Sequence, residues 1–173
     1  FKQLFAQVTN PPIDSIREEL VMSLMTFIGS PENILAESPQ HARLVKLSHP
    51  ILSNEDLARM RSLNLPDFAC RTLPIGFPAG GNGRDLAAAL DDLCRRAEAA
   101  VTEDARILVL SDRDLPEGTM AIPALLAVSG VNGHLVRRRR RTGTGIIVET
   151  GEAREVMHMA ILLGYGASAV NPY

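Results

Sequence analysis

Six polar side chains stand at or near the ends of short apolar runs in this chain. Ser111, Asp112 and Arg113 follow one run, Glu149 and Thr150 a second, and Asn171 lies in a third. In a parallel α/β architecture the C-terminal strand ends face the ligand side. Two acids, a guanidinium and an amide there would suit a polar small molecule, with Asp112, Arg113, Glu149 and Asn171 as the site of an independent α/β enzyme. The plainer alternative is that Asp112 and Arg113 pair with, or cap, neighbouring loops.

Three other patterns invite chemistry. The loop Ala79-Gly80-Gly81-Asn82-Gly83 falls between a strand and a helix, where backbone amides can cradle a phosphate. It lacks the GK[ST] of a P-loop and misses the GxGxxG spacing, so a flexible turn is the competing reading. Arg137–Arg141 is a run of five guanidiniums, a type of cluster that neutralises nucleic-acid phosphates. No aromatic residue is interleaved for base stacking, and the run falls where a helix ends and cations are favoured. A solvated helix end or a contact with another domain is the expectation, not nucleic acid. His134 and His158 have no second ligand at metal-binding spacing, and no metal site is expected.

The elements that would position these groups follow from periodicity. Apolar residues at 1, 4, 5 and 8 make one helical face in Phe1–Val8, which Pro11-Pro12 terminates. A helix over Ile16–Phe27 is apolar nearly all round. Arg43–Leu47 reads as a short strand, and Ser53–Ser62 as a helix capped by Ser53 with Leu57 and Met60 inward. A βα rhythm then begins: strand Cys70–Phe77, helix Asp85–Val101, strand Arg106–Leu110, helix Ile122–Arg138, strand Gly145–Val148. The last helix is expected to be capped by Thr150 and to turn Val156, Met159, Ala160 and Leu163 inward, before a strand at Ser168–Asn171. Four strands alternating with three helices fit a doubly wound sheet or about half of a (βα)8 barrel.

Composition bounds the class. With 173 residues, 46% of them hydrophobic, one domain with a real core is expected. The net charge of −2 provides no general attraction for nucleic acid or acidic membranes. Cys70 and Cys94 form no CxxC pair and read as buried thiols in a reducing compartment. No apolar run approaches a membrane span. A cytoplasmic protein is the plain inference, with a plastid or another organelle as the alternative. Phe1 at the start and a parallel strand at the end give the expectation of a piece of something longer.

Four stretches together resemble the central domain of the large subunit of glutamate synthase. They are FKQLFAQVTNPPIDSIREELVMSLMTFIG, PILSNEDLARMR, ILVLSDRD and VETGEAREVMHMAILLGYGASAVNPY, in order along almost the whole chain. The resemblance implies a parent that converts glutamine, 2-oxoglutarate and reductant to two glutamates. It further implies an amidotransferase domain, a barrel domain holding FMN and a 3Fe-4S cluster, and an electron donor that is either a small subunit or ferredoxin. The central domain itself is implied to be a degenerate relative of the FMN barrel that binds no cofactor. It bridges the two active sites and helps wall the tunnel that carries ammonia.

Residue by residue, the resemblance transfers one motif. VTNPPID is Val8–Asp14, and it places Thr9, with Asn10 beside it, on the tunnel; the alternative is that both only cap the break between two helices. Ser15 stands where the family usually has proline, and only His134 and His158 remain of its histidine-rich stretches. No catalytic and no cofactor-binding residue is carried over. The expected fold is therefore α/β, with parallel βα repeats (66–173) forming part of a degenerate TIM-type barrel after N-terminal helical and irregular sequence (1–65). Half a barrel leaves open strand edges and an uncovered apolar face, so the isolated piece is expected to self-associate.

Overall fold

The structure, a computed structural model, describes residues 22–31, 35–63 and 65–173. A four-stranded parallel sheet lies at its centre. In chain order, the strands are β1 (Thr26–Ile28), β2 (Val45–Leu47), β3 (Cys70–Pro74), β4 (Gly76–Pro78), β5 (Ile107–Ser111), β6 (Thr119–Ala121), β7 (Gly145–Thr150) and β8 (Ala169–Pro172). The helices are α1 (Asn54–Ser62), α2 (Gly83–Thr102), α3 (Ala124–Arg137) and α4 (Val156–Gly164). The central sheet runs β3-β5-β7-β8, with β1-β2 and β4-β6 as separate antiparallel pairs.

Every residue of β5 (ILVLS) and β7 (GIIVET) is buried, as expected of central parallel strands covered on both faces. Alternation sends Leu108, Leu110, Ile146, Val148 and Val170 to one face, where they pack with Leu93 and Ala97 of α2, Val128 and Val131 of α3, and Leu162 of α4. Ile107, Val109, Ile147 and Ala169 go to the other face, against Ile28, Leu52, Leu57 and Met60. All three crossover helices thus lie on one face, and the strands follow one another in sequence order. A doubly wound sheet would place helices on both faces.

Two capping boxes start helices. Ser53 Oγ accepts from Asp56 N at 3.1 Å and Asp56 returns a contact to Ser53 N at 3.3 Å. Asn82 and Asp85 do the same for α2. This second box takes up the amides of the glycine loop: Asn82 N donates to Asp85 at 2.7 Å, Arg84 N to Asn82 at 2.8 Å, and Gly81 N to the Pro78 carbonyl. Of the amides in the phosphate cradle considered for Ala79–Gly83, those of Ala79, Gly81 and Asn82 are therefore already engaged.

Several expectations are corrected. Thr26 and Phe27, read as the end of the Ile16–Phe27 helix, belong instead to strand β1, which pairs with β2; residues 16–21 and the Phe1–Val8 helix lie outside the described residues. Cys70–Phe77 is two strands, because after Pro74 the chain turns to pair β4 with β6. Thr150 does not cap α4, whose first turn has no side-chain cap. Its hydroxyl bonds Asp112 instead. In α4, Val156 is 86% exposed and Ala160 is exposed, while Leu162 carries the burial with Met159 and Leu163 partly buried. Glu152 accepts from Ala124 N at 2.9 Å and so caps α3.

The uncovered sheet face that motivated self-association is covered by α1 and the β1-β2 pair. One edge is occupied too, since Leu52 N donates to the Val170 carbonyl and Val170 N to the Pro50 carbonyl, both at 2.8 Å.

Candidate functional site

The register of the parallel strands sets Ser111, Glu149 and Asn171 side by side across the C-terminal end of the sheet. By alternation they share the face of Ile107, Val109, Ile147 and Ala169, so all three point toward α1. All three are buried. A carboxylate in such a place must be neutralised or strongly partnered.

Glu149 is partnered on both oxygens. Arg61, from the last turn of α1, donates through Nη1 to Oε1 at 3.2 Å and through Nη2 to Oε2 at 2.6 Å, a bidentate clamp. Ser111 Oγ donates to Oε2 at 2.5 Å. Arg113 Nε stands 3.2 Å from Oε1 and adds charge without the alignment of a hydrogen bond. Burial pushes the Glu149 carboxyl up, but the Arg61 and Ser111 hydrogen bonds and both guanidinium charges outweigh it and hold the group below its ordinary value. The hydrogen bond to Glu149 raises Arg61 in turn.

A second layer orients the first. Arg61 Nε donates to Thr72 Oγ1 at 3.2 Å. Arg113 Nη2 and Asn171 Nδ2 both donate to Asn54 Oδ1, at 2.9 and 3.2 Å, and Asn171 Nδ2 also reaches the Leu52 carbonyl at 2.9 Å. Asn171 thus ties β8 to the start of α1. Alongside, Asp112 accepts from Thr150 Oγ1 and Tyr173 Oη, each at 2.5 Å, and from Gly151 N at 3.3 Å. The Arg113 guanidinium lies 4.1 Å over the Tyr173 ring. Burial, with the Asp112 hydrogen bond and charge, pushes the Tyr173 phenol up to about 12.

Chemically, this cluster is a network of ion pairs about Glu149 and hydrogen bonds about Asp112, with Asn171 Oδ1 buried and without a hydrogen-bond partner. Glu149 and Asp112, the two candidate bases, have their oxygens engaged by donors from the chain itself, so neither is poised to take a substrate proton.

The comparisons with known proteins agree across the whole chain. The model of the glutamate synthase central domain matches residues 1–173. The chain belongs to the glutamate synthase central domain family. It is 47% identical over 173 residues to the glutamate synthase [NADPH] large chain of Bacillus subtilis. It is 39% identical over 175 residues to the glutamate synthase [NADH] of Schizosaccharomyces pombe, and 41% identical over 180 residues to the ferredoxin-dependent glutamate synthase of Cyanidium caldarium. Each alignment takes in 100% of this chain but only 8 to 11% of the relative.

Within this central-domain chain, the strand-end residues named from sequence do come together: Ser111, Asp112, Arg113, Glu149, Thr150 and Asn171 form one connected cluster. Sequence reasoning missed Arg61, Asn54, Thr72 and Tyr173. Arg61 had one available signal, as a cation on the last turn of a capped helix, but nothing local pointed to Glu149. Thr9 and Asn10 lie outside the described residues. His134 Nε2 is 2.7 Å from Glu98 Oε2, and that hydrogen bond holds the Glu98 carboxyl below its ordinary value. His158 Nδ1 accepts from Arg154 N at 3.2 Å.

Among the described residues, neither cofactor implied for the parent meets a matching set of groups. Iron–sulfur clusters are held by sets of cysteine thiolates. The chain has two cysteines, free on β3 and α2, and burial raises the pKa of both. For a flavin phosphate, the guanidiniums at the strand ends, Arg61 and Arg113, already face Glu149.

Proposed function

We propose that this chain is a non-catalytic part of a glutamate synthase large subunit, a scaffold between the amidotransferase and FMN domains that helps wall the ammonia tunnel. The carrying observation is the full-length family match, shared by relatives named for NADPH, NADH and ferredoxin. A segment kept among proteins with different electron donors is expected to serve what they have in common. The engaged state of Glu149 and Asp112 supports the same reading over an independent enzyme at the strand ends.

In this reading the parent carries FMN and the 3Fe-4S cluster elsewhere and takes electrons from a small subunit or from ferredoxin. Thr9 and Asn10 line the tunnel. Residues 1–65 and 66–173 form one truncated domain, and the sheet is an arc of a degenerate barrel. Sequential strand order and crossover helices on one face support that last point. Self-association of the isolated piece would use the outer edge of β3 or the exposed Leu125, Val156 and Met157 of α3 and α4.

Thr9→Val in the full-length enzyme tests the proposal, because it keeps the shape and removes the hydroxyl. Glutamine hydrolysis should continue while glutamine-dependent glutamate formation falls and free ammonia accumulates. Two rates as tightly coupled as in the unaltered enzyme would refute the tunnel role.

A further inference from the structure

The arginine run is divided by the fold. Arg141 turns inward and donates to Asn132 Oδ1 at 2.6 Å, to the Thr144 carbonyl at 2.7 Å and to the Gly166 carbonyl at 2.9 Å. It fastens the end of α3 to the entry of β7 and to the turn after α4. Arg137, Arg138, Arg139 and Arg140 are all exposed. Arg138 reaches Glu98 at 3.4 Å, whereas Arg137, Arg139 and Arg140 make no ion pair among the described residues. Three exposed cations of the run are thus without an ion pair among the described residues, although the Arg140 charge also acts on the Glu98 carboxyl.

The backbone beneath them is costly for an arginine. Arg139 N donates to the Val136 carbonyl and Arg140 N to the Leu135 carbonyl, the two bonds of a Schellman motif closing α3. That motif puts Arg139 in the left-handed region, at φ 57°, where glycine is the usual residue. Helix termination therefore does not explain the arginine, and glycine would serve it better. Strain kept at an exposed charged residue is a signature of use elsewhere.

Tyr165 stands at the same end of the molecule and is 54% exposed. It precedes Gly166, whose carbonyl is held by Arg141. Arginine and tyrosine are the residue types enriched at the energetic centres of protein interfaces. The surface lies at the N-terminal ends of the strands, opposite the Glu149 cluster.

We propose that Arg137, Arg139, Arg140 and Tyr165 form a docking surface for a carboxylate-rich polypeptide segment of the assembled enzyme, outside these 173 residues. Guanidiniums match carboxylates bidentately. Nucleic acid fits less well, since the chain's net charge is −2 and a stacking platform needs successive aromatic rings. The proposal rests on the chain being part of a larger assembly, but its test reads contacts and not turnover, so its failure leaves the tunnel reading standing.

The test is made in the assembled holoenzyme carrying R137K/R139K/R140K, which keeps the charge and supplies amines for carbodiimide coupling. Peptide mass spectrometry should find crosslinks from these three positions to Asp or Glu outside the chain. They should fall several-fold when salt is raised to about 1 M, where the screening length is about 3 Å. A poly-glutamate peptide should compete with them. Crosslinks confined to Glu98 or to Asp14, Glu18 and Glu19, or none at all, would overturn the proposal. So would tighter binding of a labelled single-stranded oligonucleotide than of poly-glutamate.

Discussion

Arg61 and Glu149 are 88 residues apart in the chain, yet the guanidinium of one clamps the carboxylate of the other at 3.2 and 2.6 Å. The contact joins α1 to the end of β7 and closes the side of the sheet where a parallel α/β protein would hold a ligand. It leaves both carboxylate oxygens of Glu149 engaged by donors of the chain itself.

Glu149→Gln keeps the shape and leaves Arg61 and Arg113 without their counter-ion. Breaking a buried pair costs about 3–5 kcal/mol. The two arginine side chains are 34% and 32% exposed, so water recovers part of that loss and about 2–4 kcal/mol is expected. Denaturant unfolding of the variant measures it, and a loss below about 0.5 kcal/mol would contradict the clamp.

The same carboxyl sets an acid limit. Its folded-state pKa lies below the ordinary 4.5, so its contribution is present above pH 4.5 and is lost as pH falls through the lowered folded value. Stability of the unaltered chain should decline across that window more steeply than stability of Glu149→Gln. Parallel pH profiles would show that another acid governs the limit.

Tyr173 makes a prediction at the alkaline end. With its phenol pushed up to about 12, the hydrogen bond to Asp112 is intact below pH 10 and is lost as pH rises toward 12. Phenolate absorbance should show a step with a midpoint about 12 that Tyr173→Phe abolishes. A step near 10 assigned to Tyr173 would mean that the bond is not held in solution.

Gly145 opens β7 where β1 crosses it, and a Cβ there would overlap Ile28 Cγ2 and come within 3.2 Å of Gly29 N. Gly145→Ala should destabilise the chain by about 1–3 kcal/mol, the usual cost of overpacking. Each kcal/mol lowers Tm by about 2–4 °C in a chain of this size. An unchanged Tm would show that β1 does not press on β7.

Arg139→Gly should move stability the other way. Removing a side chain from the left-handed region recovers about 1 kcal/mol. A small rise in Tm is expected, together with weaker crosslinking at the α3 terminus.

What the sequence determined by itself was local. ILVL and GIIV are apolar and β-branched over runs too short for helices, and both are buried central strands. Ser53 caps α1, and Leu57 and Met60 face inward, because capping and the 3.6-residue period act within a few residues. The alternation of four strands with three helices was legible for the same reason. Only the tertiary structure decided that Glu149 is spent on Arg61, that Glu152 caps α3 across 28 residues, and that Leu162, not Val156, is the buried face of α4. It also decided that residues 26–28 are strand. Their apolar character suits helix or strand equally, and pairing with Val45–Leu47 over the sheet face settles the choice. Periodicity reports which side of an element is apolar, but which neighbour meets it depends on how the chain returns, and that is a property of the fold.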